Sequence, residues 1–229
     1  MSLRTTHALF SAALLVCASC AAADEAKQLP APITDETKSP AAGSETAVLS
    51  GGCFWGMQGL FEHVKGVRQV VAGYSGGTAS AAQYETVSTG TTGNAESVKV
   101  TFDPAIISYG QVLRIFFSVA HDPTELNRQG PDEGPQYRSD IFVADQEQEK
   151  VARAYIGQLA RIHAFGAPIV TRVDRFTGFY PAEAYHQDYL IHNPDSPYIV
   201  FNDLPKIAHL KTAYPELYNE KPVMLAAAK

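Results

Sequence analysis

Cysteine is scarce in this 229-residue chain, and its placement excludes more than its number does. Only Cys17, Cys20 and Cys53 carry a thiol. The first two lie in a stretch that reads as an export signal. Arg4 supplies the positive start, and Ala8 to Val16 is an apolar run too short to span a bilayer. Ala21 and Ala23 then suit an A-x-A cleavage site before Asp24. Cleavage there leaves Cys53 as the one thiol, which excludes an internally disulfide-stapled secreted domain. On this reading the mature protein is periplasmic or secreted. A second reading makes Cys20 a lipidated first residue. It ranks lower because Cys17 stands where a lipoprotein signal normally has Leu.

Runs of positive charge are missing as well. No stretch of Lys or Arg occurs, net charge is -6 and pI is about 5.6, so the footprint of a nucleic-acid binder is absent. Tryptophan occurs once, at Trp55, and no internal repeat is visible.

Apolar residues make up 45% of the chain, enough for a proper core. Three regions follow: a signal over residues 1–23, a flexible linker over 24–46, and a catalytic domain over 47–229 with an irregular C-terminal tail. The linker holds Pro30, Pro32, Pro40 and Gly43 among polar residues, without apolar period.

Within the domain the elements alternate. Ala47 to Leu49 reads as a strand, and Gly51-Gly52 as a turn. Cys53 to Val64 has helical spacing of Phe54, Met57, Leu60, Phe61 and Val64, ended by Gly66. Val67 to Tyr74 is a strand, and a small-residue loop runs to Gly93. Glu96 to Phe102 alternates strictly and reads as a strand. Tyr109 to Ala120 has helical spacing; His121 to Gln136 is a polar loop. A strand over Tyr137 to Ala144 meets Asp145 as N-cap, with Gln148 completing a capping box for a helix to about Ala164. Pro168 to Asp174 reads as a strand, and Ala182 to Ile191 as the last helix. This order predicts an α+β fold: a ferredoxin-like βαββαβ core sandwich with mixed sheet, an additional helix and strand, and long irregular loops.

Cys53 opens a helix after a Gly-Gly turn. Unpaired N–H groups and the dipole at a helix N-terminus favour an anion, and so lower a thiol's pKa. A small buried hydrophobe explains a free cysteine equally well. Glu96 shares the parity of Val98, Val100 and Phe102, so it points to the core side, where desolvation holds a carboxyl neutral. A strand-end glutamate reaching solvent is the competing reading. Tyr84 and Tyr137 flank loops and Asp132 lies in a Gly/Pro turn, positions usually occupied for packing and turn formation.

Several segments together resemble one family. Gly52-Cys53-Phe54-Trp55-Gly56 reproduces the GCFWG motif of peptide methionine sulfoxide reductase A. Gly73-Tyr74-Ser75-Gly76-Gly77 is similar to its GYxGG, Tyr84 to Gly90 to its YxxVxxG, and Gly93-Asn94-Ala95-Glu96 to its GHAE. His121 to Thr124, Leu126 to Gly130, Gln136 to Ser139 and Tyr180 to Gln187 resemble its HDPT, LNRQG, QYRS and YPAExYHQ, in family order. The resemblance covers about Ala47 to Tyr198.

It implies roles residue by residue. Cys53 is the nucleophile and Glu96 the acid. Phe54 and Trp55 wall the pocket for the substrate's S-methyl group. Tyr84 and Tyr137 hydrogen-bond the sulfoxide oxygen, and Asp132 orders that network. His186 takes a supporting role. The substrate is oxidised methionine, free or in proteins, of the S epimer; the role is repair of oxidised exported proteins. Three departures stand out: Asn94 for the usual His, expected to alter the acid's hydrogen bonding; Pro131 and Pro135 in the Asp132 loop; and a tail, Pro222 to Lys229, without the recycling cysteine many members carry.

The chemistry needs a thiolate and an acid at one S=O bond, and no metal or organic cofactor. It leaves Cys53 as a sulfenic acid. Recycling then falls to an external thiol: thioredoxin, glutaredoxin or a similar protein, or glutathione. The reading takes a monomer without nucleic-acid partners. A thiol peroxidase and a capture module that binds without turnover rank behind it. The first lacks a Pro-x-x-x-Thr-x-x-Cys spacing before Cys53, and the second has no need of both Cys53 and Glu96.

Overall fold

The computed structural model describes residues 28–36 and 43–225. The expected signal, residues 1–23, lies outside them. Within 43–225 the strands and helices form one mixed α+β arrangement. A six-stranded sheet has the order β7-β6-β1-β3-β2-β8, from Arg172–Arg175 (β7), Asp140–Val143 (β6), Glu45–Ser50 (β1), Ala95–Phe102 (β3), Val67–Ser75 (β2) and Phe179–Pro181 (β8). All neighbours are antiparallel except β6 and β7, which run parallel. Two short strands, Arg128–Gln129 (β4) and Asp132–Glu133 (β5), pair by themselves inside the loop after residue 120.

Helix α1 (Phe54–Glu62) packs on β2 and β3. Met57, Leu60 and Phe61 from the helix meet Val70 and Ala72 of β2 and Val98, Val100 and Phe102 of β3 in one core. Each fully buried side chain of this size contributes roughly 1.5–3 kcal/mol, so the sheet-facing side of α1 is held hard. A short helix, α2 (Tyr84–Val87), interrupts the loop after β2. Helix α3 (Tyr109–Ile115) starts on a reciprocal capping box between Ser108 and Gln111, then widens into a π-helical turn over Phe116–Ala120.

Helix α4 (Gln146–Arg161) begins where Asp145 was expected to cap it. Asp145 Oδ1 accepts the N–H groups of Glu147 and Gln148 at 2.9 Å. The other half of the expected box differs: Gln148 Oε1 accepts from Ala144, and its amide donates to Thr46 of β1. The side chain joins the helix to the sheet instead of closing its own cap.

Three expectations need correction. The strand expected over Pro168 to Asp174 forms only at Arg172–Arg175, where β6 offers a partner. The helix expected over Ala182 to Ile191 forms as a 3-10 turn at Ala184–His186 and a short helix α5 (Tyr189–His192), separated at Asp188 with φ +52, and beyond it a π-helical turn at Ile199–Asp203 leads into α6 (Leu204–Ala213) in place of the expected irregular tail. Leu210 is its only fully buried residue, so the sequence carries almost no helical apolar period there. Pro205 sits in the first turn, where proline costs no hydrogen bond.

The third correction concerns the linker. Residues 28–36 are docked on the domain, and β1 starts at Glu45. Leu29 is 1% exposed. Arg114 Nε donates to the Leu29 carbonyl at 2.6 Å, and the Tyr155 hydroxyl to that of Pro30 at 2.9 Å. Gln158 donates to Ala31 and accepts from Ile33, both at 2.9 Å. Asp35 accepts the Gly110 N–H at 2.8 Å, at the N-terminus of α3. One leucine and a row of backbone groups hold this strap, so composition alone could not reveal it.

Candidate active site

Strand β1 delivers the chain to Gly51-Gly52. Gly52 has φ +92, and a Cβ there would lie 2.6 Å from Gln129, so the turn requires glycine. Cys53 follows as the N-cap of α1. The first N–H groups of a helix have no partner within it. Here Phe54 N–H donates to Glu96 Oε2 at 3.0 Å, and Trp55 N–H turns to the Cys53 sulfur. The helix start therefore joins thiol and carboxyl directly.

Glu96 is 3% exposed on β3, on the side of Val98, Val100 and Phe102, as its parity predicts. Burial pushes its carboxyl up to about 8; the Phe54 N–H opposes this, while Asp132 and Asp203 add to it. Glu96 thus holds a proton at neutral pH. Cys53 departs from expectation. Its thiol is pushed well up, first by burial, then by Glu96 and Asp203, and the Trp55 N–H offsets only part of this. The helix N-terminus acts as expected, but desolvation at 8% exposure outweighs it.

The aromatic residues converge from separate elements. Phe54 packs on Tyr74 at 5.8 Å and His186 at 5.0 Å between centroids. Trp55 stacks on Tyr189 at 3.9 Å and donates its indole N–H to His186 Nδ1 at 3.0 Å. Tyr84 lies 4.5 Å from the His186 ring. Tyr84 and Tyr137 both feel the charges of Cys53 and Glu96, and burial raises each hydroxyl. At neutral pH they are hydrogen-bond donors. His186 is therefore the hub that sets Trp55 and touches Phe54 and Tyr84. Its own pKa is lowered by burial, which keeps it neutral.

Asp132 is placed differently from expectation. It accepts from the Tyr198 hydroxyl, and no direct bond to Tyr84 or Tyr137 is seen among the described residues. Tyr198 in turn lies 5.9 Å from Trp55, edge to face, and feels Cys53. The sequence reading missed Tyr198 as a site residue. It also missed Asp203, which is fully buried, bonds Lys206 at 3.0 Å and presses on Gly56 of α1. Neither carries a local signal, because each reaches the site from a turn far along the chain.

Asn94 also departs. Its amide oxygen accepts from Gly77 at 3.1 Å and its NH₂ donates to Thr78 at 3.2 Å. It closes the Gly76-Gly77 turn and makes no hydrogen bond to Glu96. Arg138 has a comparable holding role. It pairs with buried Asp140 at 2.9 Å and donates to Gly93, just before β3, and to Pro135, in the turn that presents Tyr137.

A cysteine at a helix start, a neutral buried acid bonded to that start, and hydroxyl donors around both define a thiol-dependent oxidoreductase on a mixed α+β fold. The family model for peptide methionine sulfoxide reductase matches residues 45–217. Peptide methionine sulfoxide reductase MsrA 2 of Mesorhizobium japonicum is 57% identical over 194 residues, 85% of this chain and 98% of its own. MsrA of Thermus thermophilus is 47% identical over 173 residues, covering 76% and 97%. Reduced Mxr1 of Saccharomyces cerevisiae superimposes with a TM-score of 0.60 at 31% identity, covering 70% of this chain and 91% of its own. Methionine sulfoxide reductase A of Corynebacterium diphtheriae gives 0.57 at 30%, covering 75% and 89%. The chain belongs to the peptide methionine sulfoxide reductase A family, and it is an oxidoreductase acting on sulfur.

Proposed function

We propose that Cys53 and Glu96 carry out the reduction of methionine S-sulfoxide, in peptides and proteins, to methionine. The observation that carries this reading is the Phe54 N–H bridge to a Glu96 carboxyl that stays neutral at pH 7. Sulfoxide sulfur is electrophilic, and its oxygen leaves only when protonated. Cys53 sulfur bonds the substrate sulfur while Glu96 protonates the oxygen. The transient S–S bond and the substrate's S–O bond then break as the hydroxyl passes to the Cys53 sulfur, which releases methionine and leaves Cys53 as a sulfenic acid, and the thiol's proton restores Glu96. Tyr84 and Tyr137 stabilise charge on that oxygen, as an oxyanion hole does. Phe54 and Trp55 receive the S-methyl group, with Trp55 set by His186 and Tyr189.

Cys53→Ser tests the reading. A hydroxyl is far less nucleophilic, so methionine formation from a sulfoxide peptide should vanish in a single-turnover assay. Turnover like that of the parent enzyme would refute it. Separated epimers offer a second check, since a chiral pocket should consume S and leave R.

Recycling by an external thiol follows from Cys53 being the one thiol left after signal cleavage; it is also the only free cysteine among the described residues. Either a thioredoxin-like or glutaredoxin-like protein or a small thiol completes the cycle. Export rests on Arg4, the Ala8 to Val16 run and the Ala21–Ala23 site; a mature mass starting at Asp24 would support export with cleavage after Ala23, and a lipid-modified Cys20 would replace that cleavage site with an anchored form. The order β6-β1-β3-β2, with α1 after β1 and α3 after β3, supports a ferredoxin-like reading of the core.

A further inference from the structure

Trp55 is the only tryptophan in the chain, and its indole has one polar atom. That N–H donates to His186 Nδ1 at 3.0 Å. The bond fixes the tautomer of the histidine. An indole nitrogen can only donate, so Nδ1 must offer a lone pair, and the proton of the neutral ring sits on Nε2. Nε2 is buried without a hydrogen-bond partner. The rings of Phe54, Tyr84 and Tyr185 pack around the imidazole, at 5.0, 4.5 and 4.2 Å between centroids.

A second proton therefore has one place to go. Nδ1 holds the free lone pair of the ring, and it is the atom that anchors Trp55. Once it carries a proton, two N–H donors face each other and the indole loses its acceptor. The other neighbours of Trp55 do not replace it. Tyr189 stacks on one face at 3.9 Å, and Tyr198 meets the ring edge to face at 5.9 Å. Trp55 is only partly buried, so a released indole can turn its N–H to water.

We propose that His186 is a positioning residue for this reaction: its uncharged ring holds Trp55 in the wall of the substrate pocket, and a proton on Nδ1 lets the indole go. The inference rests on the reading of Trp55 as a wall for the S-methyl group. The groups that face the ring decide when this happens. Burial among Phe54 and Trp55 of α1, Tyr84 of α2 and the adjacent Tyr185 opposes the charged form and holds the imidazole below its usual 6.5. The Glu183 carboxylate favours the charged form. It is already engaged by the Tyr74 hydroxyl of β2 and by the Tyr84 N–H, each at 2.9 Å, so it offsets burial only in part. At neutral pH the anchor is set, and acid withdraws it. Glu96 keeps its proton throughout that range, so the loss falls on binding and not on proton transfer.

The single tryptophan provides the readout. In wild type, Trp55 emission should change in one transition below pH 6.5. Across the same transition KM for a sulfoxide peptide should rise by about tenfold with kcat little changed, because ground and transition state share an apolar wall. His186→Leu should show the raised KM at every pH. His186→Asn offers an amide oxygen in place of Nδ1 and has no titrating proton, so it should recover part of that loss and show no transition. Wild type also permits a check without variants. Its one indole N–H gives a single proton–nitrogen cross-peak, whose protection from solvent exchange should fall through the same transition. An emission transition that persists in His186→Asn overturns the proposal, and so does an indole peak whose protection is indifferent to pH. A transition lost in His186→Asn while KM stays flat in wild type overturns it too, and places the failure in the wall role of Trp55. If wild type reduces no sulfoxide peptide at all, the proposed function fails, while emission and exchange still decide the His186 contact.

Discussion

Glu96 and Cys53 show how one contact can serve two purposes. Both groups keep their protons in the resting enzyme, because burial disfavours either charge. Glu96 is useful only while protonated, so kcat should fall as pH rises through about 8. In Glu96→Gln the hydrogen bond from Phe54 survives and the proton is gone. We expect kcat to drop by about 10²–10⁴-fold, with KM little changed, and the limb near pH 8 to disappear. A rise in KM alone would show that Glu96 binds without donating. Gly56 matters for a different reason. A Cβ there would collide with Asp203, which Lys206 holds in place. Gly56→Ala should therefore destabilise by about 1–3 kcal/mol and slow the enzyme by shifting the start of α1; equal melting temperatures would refute this.

At the scale of elements, the strap at 28–36 stands out, because it precedes the residues matched by the family model. It joins Ser108 and Gly110 at the start of α3 to Arg114, to Tyr155 and Gln158 of α4, and to Tyr214 just after α6. Of these elements, α6 also lines the groove of about 690 Å³ that ends on Cys53, through Pro205, Lys206 and His209. Leu29→Ala leaves a cavity under the strap, at a cost of about 2–5 kcal/mol. Urea unfolding followed by fluorescence would measure it. A loss below about 0.5 kcal/mol, the scale of an ordinary surface substitution, would mean that the strap rests on the surface without supporting it.

Across the whole molecule, buried carboxyls set the response to pH. Glu62, at the far end of α1, is pushed up to about 9 by burial and the neighbouring Asp188. Glu96 is pushed to about 8. Between the ordinary carboxylate range near 4.5 and these values the native state holds a proton that the unfolded chain has released. Stability is then fully present below about pH 4.5 as far as these groups are concerned, and is lost as pH rises toward 8 and 9. Each group adds a downward slope of about 1.4 kcal/mol per pH unit within its window. Melting temperature should fall from about pH 6 to about pH 9, and Glu62→Gln should flatten that fall while leaving stability near pH 5 almost unchanged. A parallel slope in the variant would remove Glu62 from the account.

Local pattern was enough for much of this protein. The strict alternation of β3 placed Glu96 with Val98 on the core side, and the spacing of Phe54, Met57 and Phe61 placed Cys53 at the head of a helix. Cysteine arithmetic needed no structure at all. These are properties of neighbouring residues, and short-range periodicity records them. Tertiary contact decided what remained. The thiol of Cys53 is raised first by burial and then by the charges of Glu96 and Asp203, which arrive from elsewhere in the chain, and no local pattern carries that information. Asp132 chose Tyr198 as its partner, and Asn94 turned to Gly77 in place of Glu96. The strap and α6 escaped notice because each is held by one buried leucine and by partners distant in the chain, so neither leaves an apolar period to read.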